Sequence, residues 1–182
     1  MRHRLSPTSY LILGMIGWLE RATPYQLKQR VARSIGDLWA FPHSQLYAEP
    51  ARLTRLGLLA EEREPDGRRR RFYSLTDAGR DELTGWLEDD DTPPREIRDV
   101  GLLKLLFADQ AAPEHVARLA RSQLAAHRQH LERQRDVARS ADVPATPYRA
   151  ATLSWGIAFS ESMLDFWRGV ADLAERTSGG AW

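Results

Sequence analysis

Apolar residues recur at helical spacing in three segments near the start of the chain, residues 5–20, 23–33 and 44–57. The first segment carries few charges and is typical of a mostly buried helix, whereas the other two place apolar residues on one side and polar residues on the other. Each segment opens with a residue that favours a helix start, and the third ends at Gly57, which favours a helix end. The starting residues are Ser6 or Thr8 with Pro7, Thr23 with Pro24, and Ser44. Three short helices joined by tight links are therefore predicted.

The spacing becomes alternating after residue 57. The segments LLAEERE and RRRFYSL flank the turn sequence PDG at residues 65–67, which is typical of a β-hairpin with a bulged loop. Thr76 can cap the helix that follows, and this helix carries Leu83, Trp86 and Leu87 on one side. Helix, helix, helix, two strands and helix is the element order of a winged helix-turn-helix.

The second half of the chain is predicted to be helical throughout. The apolar segment VGLLKLLF near residue 100 precedes a long charged helix, residues 113–139, and a last helix, residues 148–176, that is rich in large apolar side chains. Three helices of one copy are too few to cover all of this apolar surface among themselves. Burial of the remaining surface against a second copy is the simplest solution. A homodimer is therefore predicted.

The acidic, proline-containing segment EDDDTPPREI, residues 88–97, separates the two halves. We predict a mainly α fold with two domains, an N-terminal winged helix-turn-helix with a small β-hairpin wing at residues 1–90 and an all-α C-terminal dimerisation domain at residues 91–182. Charge follows a similar division, because residues 1–80 carry a net charge of +6 and the rest of the chain −5. The first half is therefore suited to an anionic partner.

The composition excludes several classes of function. The chain has no cysteine, which removes disulfides, cysteine nucleophiles and thiolate metal sites. No segment has the roughly 20 apolar residues of a membrane-spanning helix. The basic, apolar N-terminus lacks the small-residue cleavage site of a signal peptide. A cytoplasmic protein without a membrane partner is expected. Phosphate-binding glycine loops, zinc-protease helix motifs and nucleophile elbows are also missing, so neither an enzyme nor a cofactor is predicted.

Four segments of the sequence resemble the PadR family of transcriptional regulators, in its longer type with a helical virulence-activator-like C-terminal domain. They are LILGMIGWLERATPYQLKQRV, HSQLYAEPARLTRLGLLAEE, GRRRRFYSLTDAGRDELTGWL and IRDVGLLKLLFAD, which together span most of residues 8–109. The resemblance implies a homodimer that binds operator DNA, commonly as a repressor that a small molecule releases. Against the family pattern, Pro24 replaces a glycine at a harmless first-turn position, and Pro50 replaces a leucine inside the recognition helix. An interior proline costs about 3 kcal/mol, so we expect this helix to be kinked or to begin irregularly.

The third predicted helix is the recognition helix on this resemblance, and residues at its N-terminal end are those that usually meet base edges. Its outward positions are Gln45, Ala48, Glu49, Arg52 and Arg55, with His43 and Ser44 before them. Gln45 suits a bidentate contact to adenine, whereas Arg52 and Arg55 suit phosphates. Tyr47 either lies near DNA, as the resemblance implies, or is a core aromatic. Tyr25 and Lys28 of the second helix are phosphate contacts or ordinary surface residues.

Four consecutive arginines, Arg68, Arg69, Arg70 and Arg71, follow the predicted hairpin turn. DNA carries a phosphate charge about every 1.7 Å of its axis, so arginines on a projecting wing can bind phosphates or enter the minor groove. Alternation along a strand places Arg69 and Arg71 on one face and Arg68 and Arg70 on the other, so about two or three should reach one groove. The alternative is a solvated charge cluster on an exposed hairpin.

Aromatic residues and histidines give the remaining candidates. The tryptophans predicted to lie in the core are Trp18, Trp86 and Trp167. Trp155 and Phe159, one turn apart beside Gly156, either bind a small aromatic effector or pack against another helix. His127 and His130 have a spacing that suits a metal ion, but flanking arginines and missing further ligands favour a solvated helix face. No metal site is predicted.

The predicted function is a dimeric DNA-binding transcriptional regulator, a repressor released by a small effector. Its two winged helices would occupy successive major grooves of an operator, about 34 Å apart. Two alternatives stay open, because the winged-helix fold does not always bind DNA. One is a protein-interaction module within a helical dimer, and the other is a helical dimer that sequesters a small molecule.

Overall fold

The computed structural model describes residues 5–34, 39, 44–64, 70–94, 96–140 and 146–179. The chain divides into two compact units, residues 1–94 and residues 95–182. The elements of the first unit are α1 (Pro7–Leu19), α2 (Pro24–Ser34), α3 (Gln45–Arg55), β1 (Leu59–Arg63), β2 (Arg71–Leu75) and α4 (Asp77–Leu87). The elements of the second are α5 (Val100–Leu106), a 3-10 turn (Ala108–Gln110), α6 (Pro113–Arg139) and α7 (Pro147–Gly179). This order confirms the predicted mainly α fold with a winged helix-turn-helix and a helical C-terminal half.

The start of α1 follows from the sequence SPTS. Ser6 Oγ accepts a hydrogen bond from the backbone N–H of Ser9, and Ser9 Oγ accepts one from the N–H of Ser6, both at 3.2 Å. Pro7 fits the first turn, where a backbone N–H has no partner in the helix. This reciprocal capping box confirms the prediction of a cap at Ser6.

One apolar core joins the helices of the first unit to its hairpin. Its buried residues include Ile12, Leu13 and Ile16 of α1, Leu27 and Val31 of α2, Leu46 and Leu53 of α3, and Leu59 and Tyr73 of the hairpin. Burying one such aliphatic side chain contributes about 1.5–3 kcal/mol to the free energy of unfolding. The buried residues of α3 fix one side of this helix against the core, and the opposite side faces solvent.

β1 and β2 form the wing. They pair antiparallel, with Leu59 opposite Leu75 and Arg63 opposite Arg71. Ala22, in the link between α1 and α2, exchanges two backbone hydrogen bonds of 2.9 Å with Tyr73. This pairing ties the middle of β2 to the helices. The predicted PDG turn belongs to residues 65–69, which lie outside the described residues.

Two residues set the ends of the helices that flank the wing. Gly57 has φ +75°, a left-handed conformation that favours glycine, and it ends α3 as predicted. Thr76 begins α4 as predicted, because its Oγ1 accepts a hydrogen bond from the Gly79 N–H at 3.0 Å. The same hydroxyl donates to the Gly57 carbonyl at 2.7 Å. One threonine therefore links the two helix ends across the wing.

Two of the three tryptophans predicted to lie in the core do not. Trp167 is fully buried, whereas Trp18 is 46% exposed and Trp86 is 43% exposed. Trp86 stacks on Tyr10 with ring centroids 4.6 Å apart, so this contact covers one face of the indole. Trp18 lies in the last turn of α1, beside the helix end. Helical spacing identifies the side on which a residue lies but does not show how far a neighbour covers it.

The second unit is built on the packing of α6 against α7. Its buried residues include Ala120, Leu124 and Leu131 of α6, and Leu164, Trp167 and Val170 of α7. A buried polar pair lies between the two helices, where Ser160 Oγ donates to Gln134 Oε1 at 2.9 Å. Asp99 begins α5 by accepting hydrogen bonds from the N–H groups of Gly101 and Leu102. Among the residues described, no helix is long and apolar enough to span a membrane.

Candidate nucleic-acid interface

The solvent side of α3 is the first candidate surface. Gln45, Ala48 and Arg55 are exposed on it, and Tyr47 is 52% exposed. The alternative in which Tyr47 is a core aromatic is therefore wrong. An amide, a methyl group, a phenol and a guanidinium together offer the donors, acceptors and apolar contacts that read base edges and hold phosphates.

Ser44 does not cap α3, contrary to the prediction. Its backbone is helical, with φ −58° and ψ −32°, and its side chain makes no capping hydrogen bond. A capping serine needs an extended backbone so that its Oγ can reach the N–H groups of the first turn. Ser44 instead continues the helical path, and its carbonyl accepts from the Ala48 N–H at 3.1 Å. Its exposed hydroxyl stays a predicted DNA contact, and His43 lies outside the described residues.

α3 runs continuously through Pro50. Pro50 has no N–H to donate to the carbonyl of Leu46, which is the cost that the sequence predicts. The proline ring is buried in the core of the first unit, and Thr54 Oγ1 donates to the Pro50 carbonyl at 2.9 Å. Burial of the ring offsets part of the lost hydrogen bond, so the helix does not end there. The expected kink or irregular start of this helix stays a prediction.

The prediction that Glu49 faces outward is wrong, because its side chain lies against Ser9 of α1 and is mostly covered. Its side chain is only 15% exposed, and its Oε1 accepts from Arg52 Nη2 and from Ser9 Oγ, each at 2.6 Å. The hydrogen bond from Arg52 is the main reason that the pKa of Glu49 is lowered, and the same bond raises the pKa of Arg52. The contribution of this pair to stability is present at neutral pH and is lost as the pH falls through the lowered pKa.

The wing arginines lie beside wing glutamates. Arg70 Nε is 4.0 Å from Glu64 Oε2, and Arg71 Nε is 3.8 Å from Glu61 Oε1. Glu61 also accepts a hydrogen bond from Arg63 Nε at 2.8 Å, which is the main reason that its pKa is lowered. Both arginines are exposed. Arg68 and Arg69 lie outside the described residues.

The sequence contains a signal for these pairs of opposite charge, because glutamates precede the predicted turn and arginines follow it. In the observed register Glu61 lies opposite Tyr73, so it is diagonal to Arg71 on the same face of the hairpin. Acidic residues in the first strand of a predicted hairpin therefore lie on the same faces as basic residues in the second. The wing is a set of opposite charges rather than a purely basic element.

The other face of the wing carries a further arginine. Arg21, which follows α1, places its guanidinium 3.9 Å from the centre of the Phe72 ring. Its Nη2 also lies 2.8 Å from Glu62 Oε2. A cation over a ring face and a nearby carboxylate both hold this side chain on the wing. The sequence alone does not indicate Arg21 as a wing residue, because it follows a helix and lies outside the arginine run.

Tyr25 and Lys28 lie on the solvent side of α2. Tyr25 is 62% exposed, its hydroxyl accepts from Gln29 Nε2 at 2.9 Å, and Lys28 is exposed as well. Both side chains are therefore accessible to a phosphate, while Leu27 between them is buried. Their predicted contact with DNA stays a prediction.

The candidate effector residues lie in the second unit. The rings of Trp155 and Phe159 stack in parallel with centroids 5.6 Å apart. A Cβ placed on Gly156 would lie 3.1 Å from Gln134 Nε2, so a side chain of α6 already occupies the space beside this glycine. Burial lowers the pKa of His127, and no group of metal-binding side chains exists among the described residues.

Comparison with known proteins decides the family. Residues 12–85 match the model of the PadR-like transcriptional regulators, and residues 97–174 match the model named virulence activator alpha C-term. The two matches together cover most of the chain and correspond to the two halves of the longer PadR type. The chain belongs to the PadR-like family. This is a family of transcriptional regulators and not of enzymes.

Two curated transcriptional regulators are similar to this chain over part of their length. The negative transcriptional regulator PadR of Bacillus subtilis is 29% identical over 117 residues, which are 63% of this chain and 64% of that protein. A probable transcriptional regulator of Mycobacterium tuberculosis is 30% identical over 88 residues, 46% of this chain and 45% of that protein. The aligned part of the chain thus spans less than two thirds of each relative.

Solved PadR structures share the fold over nearly the whole chain. Bacillus subtilis PadR in complex with operator DNA has a TM-score of 0.79 at 21% identity and covers 93% of this chain and 99% of its own. The PadR-like regulator BC1756 of Bacillus cereus has a TM-score of 0.82 at 15% identity, with 93% and 98% covered. Bacillus subtilis PadR in complex with p-coumaric acid has a TM-score of 0.73 at 20% identity, with 92% and 98% covered.

Proposed function

We propose that this PadR-like protein is a dimeric transcriptional regulator that binds operator DNA through α3 and the wing. The observation that carries the proposal is the exposed polar face of α3, whose opposite side is seated in the core by Leu46, Pro50 and Leu53. A rigid helix with an exposed face of this chemistry fits the major groove. Membership of a family of transcriptional regulators supports the same function.

The proposed roles divide between reading bases and holding phosphates. Gln45, Ser44 and Tyr47 lie at the N-terminal end of α3 and would meet base edges, together with His43. Arg55, Lys28 and Tyr25 would hold phosphates beside the recognition helix. The proposed phosphate or minor-groove contacts of the wing are Arg68, Arg69, Arg70 and Arg71. These wing contacts supply affinity for any duplex rather than choice of sequence.

A mobility-shift experiment tests this function. The purified protein is mixed at low salt with the DNA upstream of its own gene, and with a shuffled duplex of equal length and base composition. We expect a discrete shift of the upstream DNA at concentrations that leave the shuffled duplex free. Equal binding to both duplexes, or no shift at all, would refute sequence-specific binding, and binding that ignores salt would favour the protein-interaction module.

The wing glutamates give a prediction with an unusual sign. Glu61→Gln removes a carboxylate that competes with phosphate for Arg71 and Arg63, so it should tighten binding to every duplex about two- to fivefold. The affinity is measured by fluorescence anisotropy on operator and shuffled DNA. Glu175→Gln removes the same charge at an exposed site of α7, in the second unit, and serves as the control. Unchanged or weaker binding by Glu61→Gln would show that Glu61 does not compete with DNA.

We propose that the dimer forms through the second unit. The side chains of Val100, Leu103, Leu106 and Phe107, in and after α5, are each more than half exposed. Leu102 and Leu105, in contrast, pack against the apolar cluster of the second unit. Exposed apolar side chains of this size are typical of surfaces that a partner covers. In a symmetric dimer the same surface of a second copy would cover them.

The dimer surface is tested by charge substitution. Leu103→Glu with Leu106→Glu should shift the molar mass by light scattering from two chains to one, because two carboxylates would be buried without partners. Arg118→Glu introduces a carboxylate at an exposed residue of α6 and should leave the mass unchanged. A double variant that keeps the mass of two chains would place the interface elsewhere.

The proposed regulation is repression that a small aromatic effector relieves. Bacillus subtilis PadR has been solved with p-coumaric acid, which makes phenolic acids the first class to test here. Trp155 and Phe159 are the proposed effector contacts, and their stacked rings offer a flat apolar wall. Quenching of tryptophan emission by p-coumaric acid that is lost in Trp155→Leu would support this site, and quenching that persists would exclude it.

A further inference from the structure

A ring of three polar side chains joins α3 to the first turn of α1. Ser9 Oγ donates to Glu49 Oε1 at 2.6 Å and accepts from Arg52 Nη2 at 3.0 Å. Arg52 closes the ring, because its Nε and Nη2 donate to the Glu49 carboxylate at distances of 2.6–3.1 Å. Ser9 is fully buried, and the carboxylate of Glu49 is mostly covered. The Arg52 side chain is 41% exposed, so the ring is only partly buried. Its contacts are charge-assisted, and they hold the two helices in one orientation.

Ser9 is itself fixed. Its Oγ accepts the N–H of Ser6, and its own N–H donates to Ser6 Oγ within the capping box of α1. A hydroxyl has one hydrogen to donate and two lone pairs. Ser9 donates its hydrogen to Glu49 and accepts from Arg52 and from the Ser6 N–H, and the Ser6 hydroxyl also lies 2.9 Å from Ser9 Oγ. The position of α3 is therefore fixed relative to the start of α1, since Ser9 lies 40 residues before Glu49 in the chain.

In this ring Arg52 uses the Nε and Nη2 side of its guanidinium, which can bind a phosphate through two parallel hydrogen bonds. The Nε and Nη2 groups form the fork that takes two oxygens of one anion, and here both oxygens are those of Glu49. A phosphate on this edge would have to displace a carboxylate that also accepts from a buried hydroxyl. The neighbouring carboxylate further neutralises the charge that would attract a phosphate.

We propose that Ser9, Glu49 and Arg52 form a clamp that sets the orientation of α3, and that Arg52 is a positioning residue for DNA recognition and not a phosphate ligand. The inference rests on the proposed function. Sequence-specific contacts require Gln45 and Tyr47 to be held in position relative to the base edges with a precision of about an ångström. Non-specific binding, in contrast, tolerates a shifted helix. Loss of the clamp should therefore lower operator affinity while leaving non-specific affinity and its salt dependence nearly unchanged.

Glu49→Gln separates the clamp from a phosphate contact by the sign of its effect. If the clamp positions α3, this variant weakens operator binding about tenfold, with little change on a shuffled duplex. If Arg52 were a phosphate ligand that Glu49 restrains, removing the carboxylate would tighten binding to both duplexes. Anisotropy titrations on the two duplexes at several salt concentrations measure the difference, and tighter binding would overturn the proposal.

Arg52→Gln and Arg55→Gln form a matched pair within one helix. Arg52→Gln should lower operator affinity with the slope of log affinity against log salt unchanged. Arg55→Gln, at an exposed phosphate candidate, should reduce that slope by about 0.9 on any duplex. A slope that falls by the same amount in Arg52→Gln would assign Arg52 to phosphate and overturn the proposal.

A double-mutant cycle tests the clamp without DNA, so that failure of the proposed function is distinguishable. Ser9→Ala, Arg52→Gln and their combination are unfolded in urea, and circular dichroism first checks that each variant folds. Coupled residues should give an interaction of about tenfold in the unfolding equilibrium constant. Additive effects would overturn the clamp, whereas a wild-type protein that binds no DNA but shows the coupling would refute only the proposed function. Ser9→Ala alone removes one oxygen atom and keeps the test usable if the arginine variants unfold.

Discussion

Replacing Arg70 and Arg71 together with glutamine should weaken binding to every DNA duplex by about 10- to 60-fold at about 0.1 M salt. Each lost phosphate contact reduces the slope of log affinity against log salt by about 0.9, which corresponds to about eightfold in affinity at that salt concentration. The range begins below the product of two contacts, because Glu64 and Glu61 lie 4.0 Å and 3.8 Å from these guanidinium groups and already compete for them. The loss should be the same for operator and shuffled duplexes, measured by anisotropy between about 0.05 and 0.2 M salt.

The control for this variant removes two positive charges elsewhere. Arg118→Gln with Arg121→Gln changes exposed residues of α6 and lowers the net charge equally. If the wing holds phosphates, the control keeps its salt slope while the wing variant loses close to two units of it. A wing variant that weakens only the operator complex would show that these arginines read sequence, and equal loss in both variants would reduce the effect to net charge.

Gly79→Ala should destabilise the first unit by about 3 kcal/mol or more in the free energy of unfolding, because overpacking against backbone cannot be relieved by a rotamer change. A Cβ at Gly79 would lie 2.0 Å from the carbonyl oxygen of Leu58, far inside van der Waals contact. α4 approaches the end of the α3–β1 link this closely because Thr76 bonds both Gly79 and Gly57. Thermal and urea unfolding followed by circular dichroism give the measurement.

Gly85→Ala is the matched control in the same helix. A Cβ at Gly85 has no neighbour within 4 Å, and alanine is favoured over glycine in a helix interior by about 0.8–1.0 kcal/mol. This variant should therefore be slightly more stable than the wild type. Two variants of α4 with the same composition would then move stability in opposite directions. A Gly79→Ala protein as stable as the wild type would show that α4 does not approach the Leu58 carbonyl this closely.

Local signals explain how much of the fold could be predicted. Ser6, Gly57 and Thr76 act through hydrogen bonds or backbone conformations within a few residues, so the sequence alone indicates their roles. The switch from helical to alternating spacing likewise predicts the hairpin, because the period of apolar residues reports which side is buried. Ser44 shows the limit of such signals, since a capping residue type caps only if its backbone is extended.

Contacts between distant parts of the chain explain what could not be predicted. Glu49 follows the spacing of an exposed residue, but Ser9, 40 positions away, and Arg52 hold its side chain against α1, where it is mostly covered. Trp86 has the spacing of a core residue, yet its stacking on Tyr10 leaves 43% of it exposed. A residue's own helix sets its direction, and the neighbouring element that meets it there decides whether it is buried.

The register of the hairpin also determines which charges lie beside the four arginines. Four arginines in sequence suggest a purely basic wing, but Glu61 and Glu64 lie beside Arg71 and Arg70. Phosphates that bind Arg70 and Arg71 would compete with these two carboxylates. The proposed affinity of the wing is therefore a difference between two interactions, and both Glu61→Gln and the arginine variants measure it.

Footprinting of the full chain on the DNA upstream of its own gene tests the central claim most directly. A dimer whose two recognition helices enter successive major grooves should protect two segments on one side of the duplex, with centres about 34 Å or about ten base pairs apart. The protection should weaken steeply as the salt concentration rises from about 0.05 to about 0.2 M. Protection of a single segment, or none at concentrations that leave shuffled DNA unbound, would contradict a dimeric regulator that reads DNA through α3.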